Sequence, residues 1–156
     1  MISVHTYEAR VQWRRHGEKF TDNRYSRGHE WSFDGGLTVA ASSSPNVVPQ
    51  HSVAQAIDPE EALIASAASC HMLWFLSLAA RQGFVVESYL DQASGVMEKN
   101  GEGKLAFSRI TLRPEVQFSG EKTPSPAEMT ALHHGAHDEC YIANSLKTEV
   151  VVETSP

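Results

Sequence analysis

The stretch DPEEALIASAASCHMLWFLSLAARQG, residues 58–83, decides the fold. Asp58 can cap a helix, Pro59 suits the first helical position, and Glu61 completes a capping box. The helix is predicted to run to Gln82, where the glycine that follows can take the left-handed conformation that ends it. Its side chains are apolar around most of the circumference, so we expect a central helix that is buried on several sides.

Nineteen consecutive residues of this helix, 62–80, lack Asp, Glu, Lys and Arg, which is close to the length that spans a bilayer. The first half, however, consists largely of Ala and Ser, and His71 lies near the middle. A buried helix therefore fits better than a transmembrane one. The segment that begins at Met1 alternates with charged residues and lacks the apolar core of a secretion signal. We expect a cytoplasmic protein without a membrane partner.

The length and the net charge of the chain limit the number of domains and the kinds of partner. A chain of 156 residues fits one domain, predicted over residues 1–156. The formal charge of −6 argues against nucleic acid as a partner, because phosphate binding needs a concentrated positive field.

Strand patterns lie on both sides of the helix. The first sixteen residues alternate, and Asp34-Gly35-Gly36 predicts a hairpin between residues 31–33 and 37–41. After the helix we expect two long strands, Phe84–Glu98 and Lys104–Phe118, joined by a turn at residues 99–103.

A second helix is predicted from Ser125, Pro126 and Glu128, which repeat the capping pattern, towards Cys140. Lys147–Glu153 then alternates as a final strand. The order of elements predicts an α+β domain with a mainly antiparallel sheet on one very apolar helix. Two sheets cover such a helix more easily than one, which favours a dimer that shares its core.

The chain has two cysteines, and each lies in a helical stretch. A structural disulfide is not expected in a reducing compartment. Redox chemistry or a metal site would explain Cys70 and Cys140 better, although each can also be a small buried hydrophobic residue.

Charged residues offer a way to activate Cys70. Glu60, at the start of the first helix, can complement the helix dipole, or it can hold an arginine that favours the thiolate. The candidate arginines are Arg24 and Arg27, either of which can equally be a solvated loop charge.

Several histidines make a zinc site an alternative to redox chemistry. His133 or His134, then His137 and Cys140 can share one helix face, and Cys70 with His71 would complete a ligand set. The motifs CxxC and HExxH are both absent, and a partly exposed helix is the alternative.

The residues after Cys70 are strongly apolar. Trp74 and Phe75 read most simply as core, and His71 can hydrogen-bond within it. Their functional interpretation is the wall of an apolar pocket beside the thiol, which would favour hydrophobic substrates.

Two motifs together resemble a known family. Pro59-Glu60, eleven and ten residues before Cys70, and Ala136-His137 before Cys140, with Asn144 after it, are similar to the motifs of the OsmC/Ohr family. These are the osmotically inducible and organic hydroperoxide resistance proteins. The element order agrees, so the resemblance covers essentially the whole chain.

The resemblance implies an intertwined homodimer in which sheets wrap around central helices, with active sites at the subunit interface. It also implies a thiol peroxidase without metal, flavin or haem. Cys70 matches the peroxidatic cysteine, Cys140 the resolving cysteine, and Glu60 the carboxylate that pairs with an arginine. We choose Arg27 for that arginine, with Arg24 in reserve.

The expected reaction follows from these roles. Cys70 attacks an organic hydroperoxide, the sulfenic acid condenses with Cys140, and a dithiol, by resemblance a dihydrolipoyl group, reduces the disulfide. His71, Trp74 and Phe75 are the predicted substrate-binding residues. The sequence departs from the peroxide-resistance branch at His71 and in Tyr141-Ile142-Ala143-Asn144. An apolar-ligand-binding protein or redox sensor without efficient turnover is the alternative, and a zinc protein is the third.

Overall fold

The computed structural model describes residues 3–154. Within them, eight strands and three helices form an α+β arrangement with mainly antiparallel sheets, as predicted. The chain divides into two compact units, residues 1–62 and 63–156. The assignment of one domain stays a prediction.

A three-stranded antiparallel sheet forms the first unit. Its strands, hydrogen-bonded in chain order, are β1 (Ala9–Gln12), β2 (His29–Phe33) and β3 (Thr38–Ala41). The predicted hairpin joins β2 to β3: Gly36 has φ +90°, and the Phe33 N–H donates to the Leu37 carbonyl at 2.9 Å. The strand predicted over the first sixteen residues is reduced to β1, and Ile2 lies outside the described residues.

Helix α1 spans Pro59–Arg81 and begins with the predicted capping box. Asp58 Oδ1 accepts the Glu61 N–H at 2.7 Å, and the Glu61 carboxylate accepts the Asp58 N–H at 3.4 Å. The helix ends one residue before Gln82, and Gly83 has φ +81°. By length and composition α1 could span a membrane, but core side chains pack along both of its halves. It is therefore a core helix.

Two sheets of the second unit cover the two halves of α1. They are formed by β4 (Val85–Asp91) with β7 (Pro114–Ser119), and by β5 (Ser94–Lys99), β6 (Leu105–Leu112) and β8 (Glu149–Val152) in that order. Phe75 and Ala79 of α1 pack on the first sheet, whereas Ala67 packs with Ile110 and Val150 of the second.

The prediction of two continuous strands, Phe84–Glu98 and Lys104–Phe118, is wrong. Each breaks, at residues 92–93 and at Arg113, and its halves enter different sheets. The two breaks are linked, because the Arg113 N–H donates to Asp91 Oδ1 at 2.7 Å and its Nη1 donates to Ser94 Oγ at 2.8 Å. Dividing the strands in this way lets them cover both halves of α1.

The C-terminal helices differ from the single helix predicted. Helix α2 (Pro126–Glu139) begins with the expected capping box between Ser125 and Glu128. It ends before Cys140, whose backbone is extended, and a short helix α3 (Tyr141–Ser145) follows. Cys140 therefore lies in a junction between helices rather than within one. Strand β8 is shorter than predicted and pairs in parallel with β6.

Candidate functional site

The two thiols meet in the second unit. Cys70 lies in the middle of α1 and is half-buried, whereas Cys140 is 1% exposed. Both are reduced thiols. Burial raises the pKa of Cys140, and the neighbouring Cys70 raises it further through a hydrogen bond and through like charge. The structure thus brings together the two cysteines that the sequence singled out.

The junction between α2 and α3 fixes the Cys140 sulfur. Its Sγ accepts the Ala143 N–H at 3.4 Å and so caps the N-terminus of α3. Asn144 Nδ2 donates to the Asp138 carbonyl at 3.0 Å, which ties α3 to the end of α2. The N–H groups of Ala143 and Ile142 oppose the effect of burial, but the pKa of Cys140 remains above its ordinary value. At neutral pH this sulfur is a protonated, buried thiol.

An aromatic pair lies beside the cysteines. Trp74 comes one turn after Cys70 in α1, and Tyr141 directly follows Cys140. Their rings meet edge to face, with centroids 5.7 Å apart, and Tyr141 is 67% exposed. Trp74 was predicted as a substrate-binding residue. Tyr141 was not, and its position after Cys140 was the only signal that could have found it.

Phe75 and His71, the other predicted substrate-binding residues, are buried. Phe75 is 0% exposed and packs against the rings of Tyr89 and Phe118. His71 is 1% exposed. Both side chains pack inside the chain, and a substrate contact at these positions stays a prediction.

His71 is paired with a second buried histidine. Its Nε2 lies 3.1 Å from Nδ1 of His133, which is 4% exposed. Burial lowers the pKa of each imidazole to about 4, and the charges of His133 and His137 contribute to the shift at His71. Both rings are neutral at physiological pH. The sequence placed these residues in a possible metal site and gave no sign of the pair.

The side chains considered as zinc ligands do not form a metal site in this structure. Within residues 3–154, no group of three or more His, Cys, Asp or Glu side chains is placed to hold a metal ion. His134 is exposed and faces Asp138, with Nδ1 3.4 Å from Oδ2. His133 instead faces His71.

Arg27 and Glu60 both belong to the first unit. The Arg27 Nη2 donates to the Asn23 carbonyl and Oδ1, both at 3.0 Å, and its guanidinium lies 3.7 Å from the centre of the Tyr25 ring. The Glu60 Oε2 is buried and has no hydrogen-bond partner within the described residues. Among those residues the predicted Arg27–Glu60 ion pair is not formed. The reserve candidate, Arg24, donates its backbone N–H to Asp22.

Arg27 also lines an apolar cavity of the first unit, about 480 Å³ in volume. Phe20 and Tyr25 stack there with centroids 4.6 Å apart, and Trp13 meets Tyr25 at 5.3 Å. Cavities of this size and lining suit small apolar ligands. The sequence did not predict this cavity, because its aromatic residues are scattered without a period through a polar segment.

Comparison with known proteins points to one family. Residues 51–155 match the family model described as OsmC-like protein. The fold matches an OsmC-like protein of unknown function from Vibrio cholerae with a TM-score of 0.95 and 50% identity, covering 97% of this chain and 100% of that chain. No curated protein matches the sequence.

More distant structures share the fold. One is an organic hydroperoxide resistance protein from Legionella pneumophila, with a TM-score of 0.72 and 17% identity over 99% of this chain and all of that chain. Another is the organic hydroperoxide resistance protein OhrB of Bacillus subtilis, with a TM-score of 0.69 and 16% identity over 98% of this chain and all of that one.

Acid should destabilise the protein through the two buried imidazoles. Each has a pKa of about 4 when folded and 6.5 when unfolded, so the unfolded chain binds protons first. The free energy of unfolding should therefore fall as pH falls from 6.5 to 4, and this contribution should be constant above that window. Urea titrations across the window measure the slope. His133→Gln should reduce this slope by about half, whereas the control variant His134→Gln should leave it unchanged. Equal slopes in the wild type and in His133→Gln would contradict the assignment.

Proposed function

Since this chain belongs to the OsmC-like family, we propose that it is a thiol-dependent peroxidase that reduces organic hydroperoxides. One observation carries the proposal: a half-buried Cys70 lies beside a buried, protonated Cys140. A peroxidatic cysteine must be reached by substrate, and its resolving partner must be close and protected. The partial exposure of Cys70 and the burial of Cys140 support these roles.

The reaction proceeds in three balanced steps. The Cys70 thiolate attacks the terminal oxygen of the hydroperoxide, the O–O bond breaks, and an alkoxide leaves and is protonated. The resulting sulfenic acid condenses with the Cys140 thiol, which forms the disulfide and releases water. A dithiol, such as a dihydrolipoyl group on a carrier protein, then reduces the disulfide by exchange.

Arg27 and Glu60 are proposed to activate Cys70. A buried carboxylate oxygen without a donor is unfavourable, and a guanidinium is the donor that satisfies it best. Pairing with Glu60 requires Arg27 to leave its hydrogen bonds to Asn23 and Tyr25. We therefore assign the observed arrangement to a resting state, and the paired arrangement to the state that stabilises the thiolate.

The substrate is proposed to be apolar. Trp74 and Tyr141 offer an aromatic surface beside the thiols, and such a surface binds an alkyl or aryl group better than it binds hydrogen peroxide. The predicted roles of His71 and Phe75 in substrate binding would be indirect, because both side chains are buried.

An intertwined homodimer is proposed as the active form, in the cytoplasm. Leu73 is 60% exposed although it lies in the central helix α1, and the neighbouring turns of that helix are only partly covered. A second copy of the chain would bury this apolar surface.

A redox sensor without efficient turnover is the second candidate. The hydrogen bonds between Arg27 and Asn23 favour a sensor, because they keep Arg27 from pairing with Glu60. Without that pair, the thiolate of Cys70 is not stabilised and its reaction with hydroperoxide is slow. Sustained turnover with a dithiol separates the two functions: a peroxidase continues, whereas a sensor stops after stoichiometric oxidation.

Replacing each cysteine should have a different effect. Cys70→Ser should abolish consumption of cumene hydroperoxide, because the nucleophile is lost. Without added thiol, Cys140→Ser should consume about one equivalent and stop as the sulfenic acid, whereas the wild type should stop as the disulfide. Peroxide assays with excess dihydrolipoamide measure the first effect, and trapping of the sulfenic acid with dimedone in assays without thiol measures the second. Full activity of Cys70→Ser would exclude the proposed mechanism.

The oligomeric state tests the proposed dimer. Sedimentation should give twice the mass of the chain, and Leu73→Glu should shift it towards the monomer because a carboxylate would be buried at the interface. Leu105→Glu is the matched control, since Leu105 is similarly exposed but lies next to a hairpin turn. A monomeric wild type at micromolar concentration would contradict the dimer.

A further inference from the structure

Two buried imidazoles lie end to end between α1 and α2. His71 Nε2 and His133 Nδ1 are 3.1 Å apart, the ring planes differ by 6°, and the ring centroids are 5.4 Å apart. The distance between the ring centroids exceeds the distance between the two nitrogens by the width of one ring. Two rings that are stacked face to face cannot have this combination of distances. The two rings therefore share nearly one plane, and the hydrogen bond between them is directed along it.

The shared hydrogen bond makes the two outer nitrogens opposite in character. A neutral imidazole carries a single N–H. When His133 Nδ1 donates, His71 Nδ1 carries a proton and His133 Nε2 has a lone pair. When His71 Nε2 donates, the two outer nitrogens exchange these roles. A proton that enters at one end and a proton that leaves at the other convert one state into the other without charging either ring.

The surroundings favour this neutral transfer over storage of a proton. Burial holds the pKa of both imidazoles at about 4, and at His71 the charges of His133 and His137 act in the same direction. The ring of Phe75, 4.5 Å from that of His133, adds apolar surface. Neither histidine holds an extra proton at neutral pH, so the pair can only pass one on.

Both outer nitrogens are buried without a partner. Within residues 3–154, neither His71 Nδ1 nor His133 Nε2 has a hydrogen-bond partner. His133 lines a cavity of about 310 Å³ that is bounded by α2 and by Val150–Val152 of β8. His133 Nδ1 is bound to His71, and His133 Nε2 is buried rather than exposed to that cavity. At the other end, His71 directly follows Cys70 in α1.

We propose that His71 and His133 form a proton relay between this cavity and the Cys70 site, a role that rests on the proposed peroxidase function. When Cys70 takes the terminal oxygen of the hydroperoxide, the alkoxide that leaves receives the proton of His71 Nδ1 through a bridging water, because Nδ1 itself is buried. His71 Nε2 takes the proton of His133 Nδ1, and His133 Nε2 takes one from a water that enters through the cavity.

The two histidines return to their starting protonation state within the same catalytic cycle. After the dithiol has reduced the disulfide, Cys70 is a thiol and must lose its proton to react again. That proton goes to His71 Nδ1, His71 Nε2 returns its own to His133 Nδ1, and His133 Nε2 releases one to solvent. Each turnover thus converts hydroperoxide and dithiol into alcohol, water and the oxidised dithiol, with both rings restored.

Single-turnover oxidation of the wild type in mixtures of H2O and D2O tests the relay directly. The rate should be lower in D2O, and it should depend on the deuterium fraction along a curve, because several protons move together. A linear dependence of the rate on the deuterium fraction would contradict the relay, since only one proton would then be transferred in the rate-limiting step. A wild type that consumes no hydroperoxide would overturn the proposed function and the relay together.

Substitution of the cavity end gives the second test. His133→Phe should slow the oxidation of Cys70 about a hundredfold and straighten the isotope dependence. His134→Phe is the control, because His134 lines the same cavity outside the pair. If the wild type reacts and folded His133→Phe reacts equally fast, the relay is wrong although the peroxidase stands.

Discussion

The close packing of α1 against α2 determines where the reactive side chains of the second unit lie. A methyl group on Gly135 of α2 would come within 3.1 Å of the Leu78 side chain, and Ala79 and Ala136 are completely buried in the same cluster. Small residues of both helices therefore lie in this contact. His71 reaches His133 across it, and Cys70 is a neighbour of Cys140 at the end of α2.

Burial at the same contact keeps the site neutral. Burial raises the pKa of Cys140 and lowers those of His71 and His133, so each of the three groups is uncharged at physiological pH. Cys70, which is only half-buried, is the group left to react with a ligand from solution. Neutral proton donors and acceptors thus surround the one thiol that is partly exposed.

The features that the sequence predicted depend on residues close together in the chain. Both capping boxes join residues three apart, and the turn at residues 99–103 is closed by the Asn100 N–H donating to the Lys104 carbonyl at 2.8 Å. The family motifs around Cys70 and Cys140 indicated the fold for the same reason, since each is a short local pattern.

The features that the sequence missed depend on distant partners. His71 and His133 are 62 residues apart, and no local pattern distinguishes a paired histidine from a metal ligand. The breaks in the long strands arise because α1 needs two sheets, which alternation along a strand does not record. Cys140 falls between two helices because its own sulfur caps the second one, an interaction that the preferred capping residues do not predict.

The central claim is that Cys70 and Cys140 of one chain form a disulfide when a hydroperoxide reacts. Peptide mapping by mass spectrometry, after one equivalent of cumene hydroperoxide is added to a mixture of labelled and unlabelled chains, tests it most directly. We expect one linked pair of peptides, Cys70 with Cys140, in which both peptides carry the same label. A sulfinic acid at Cys70 beside an unmodified Cys140, or linked peptides of mixed label, would contradict the account.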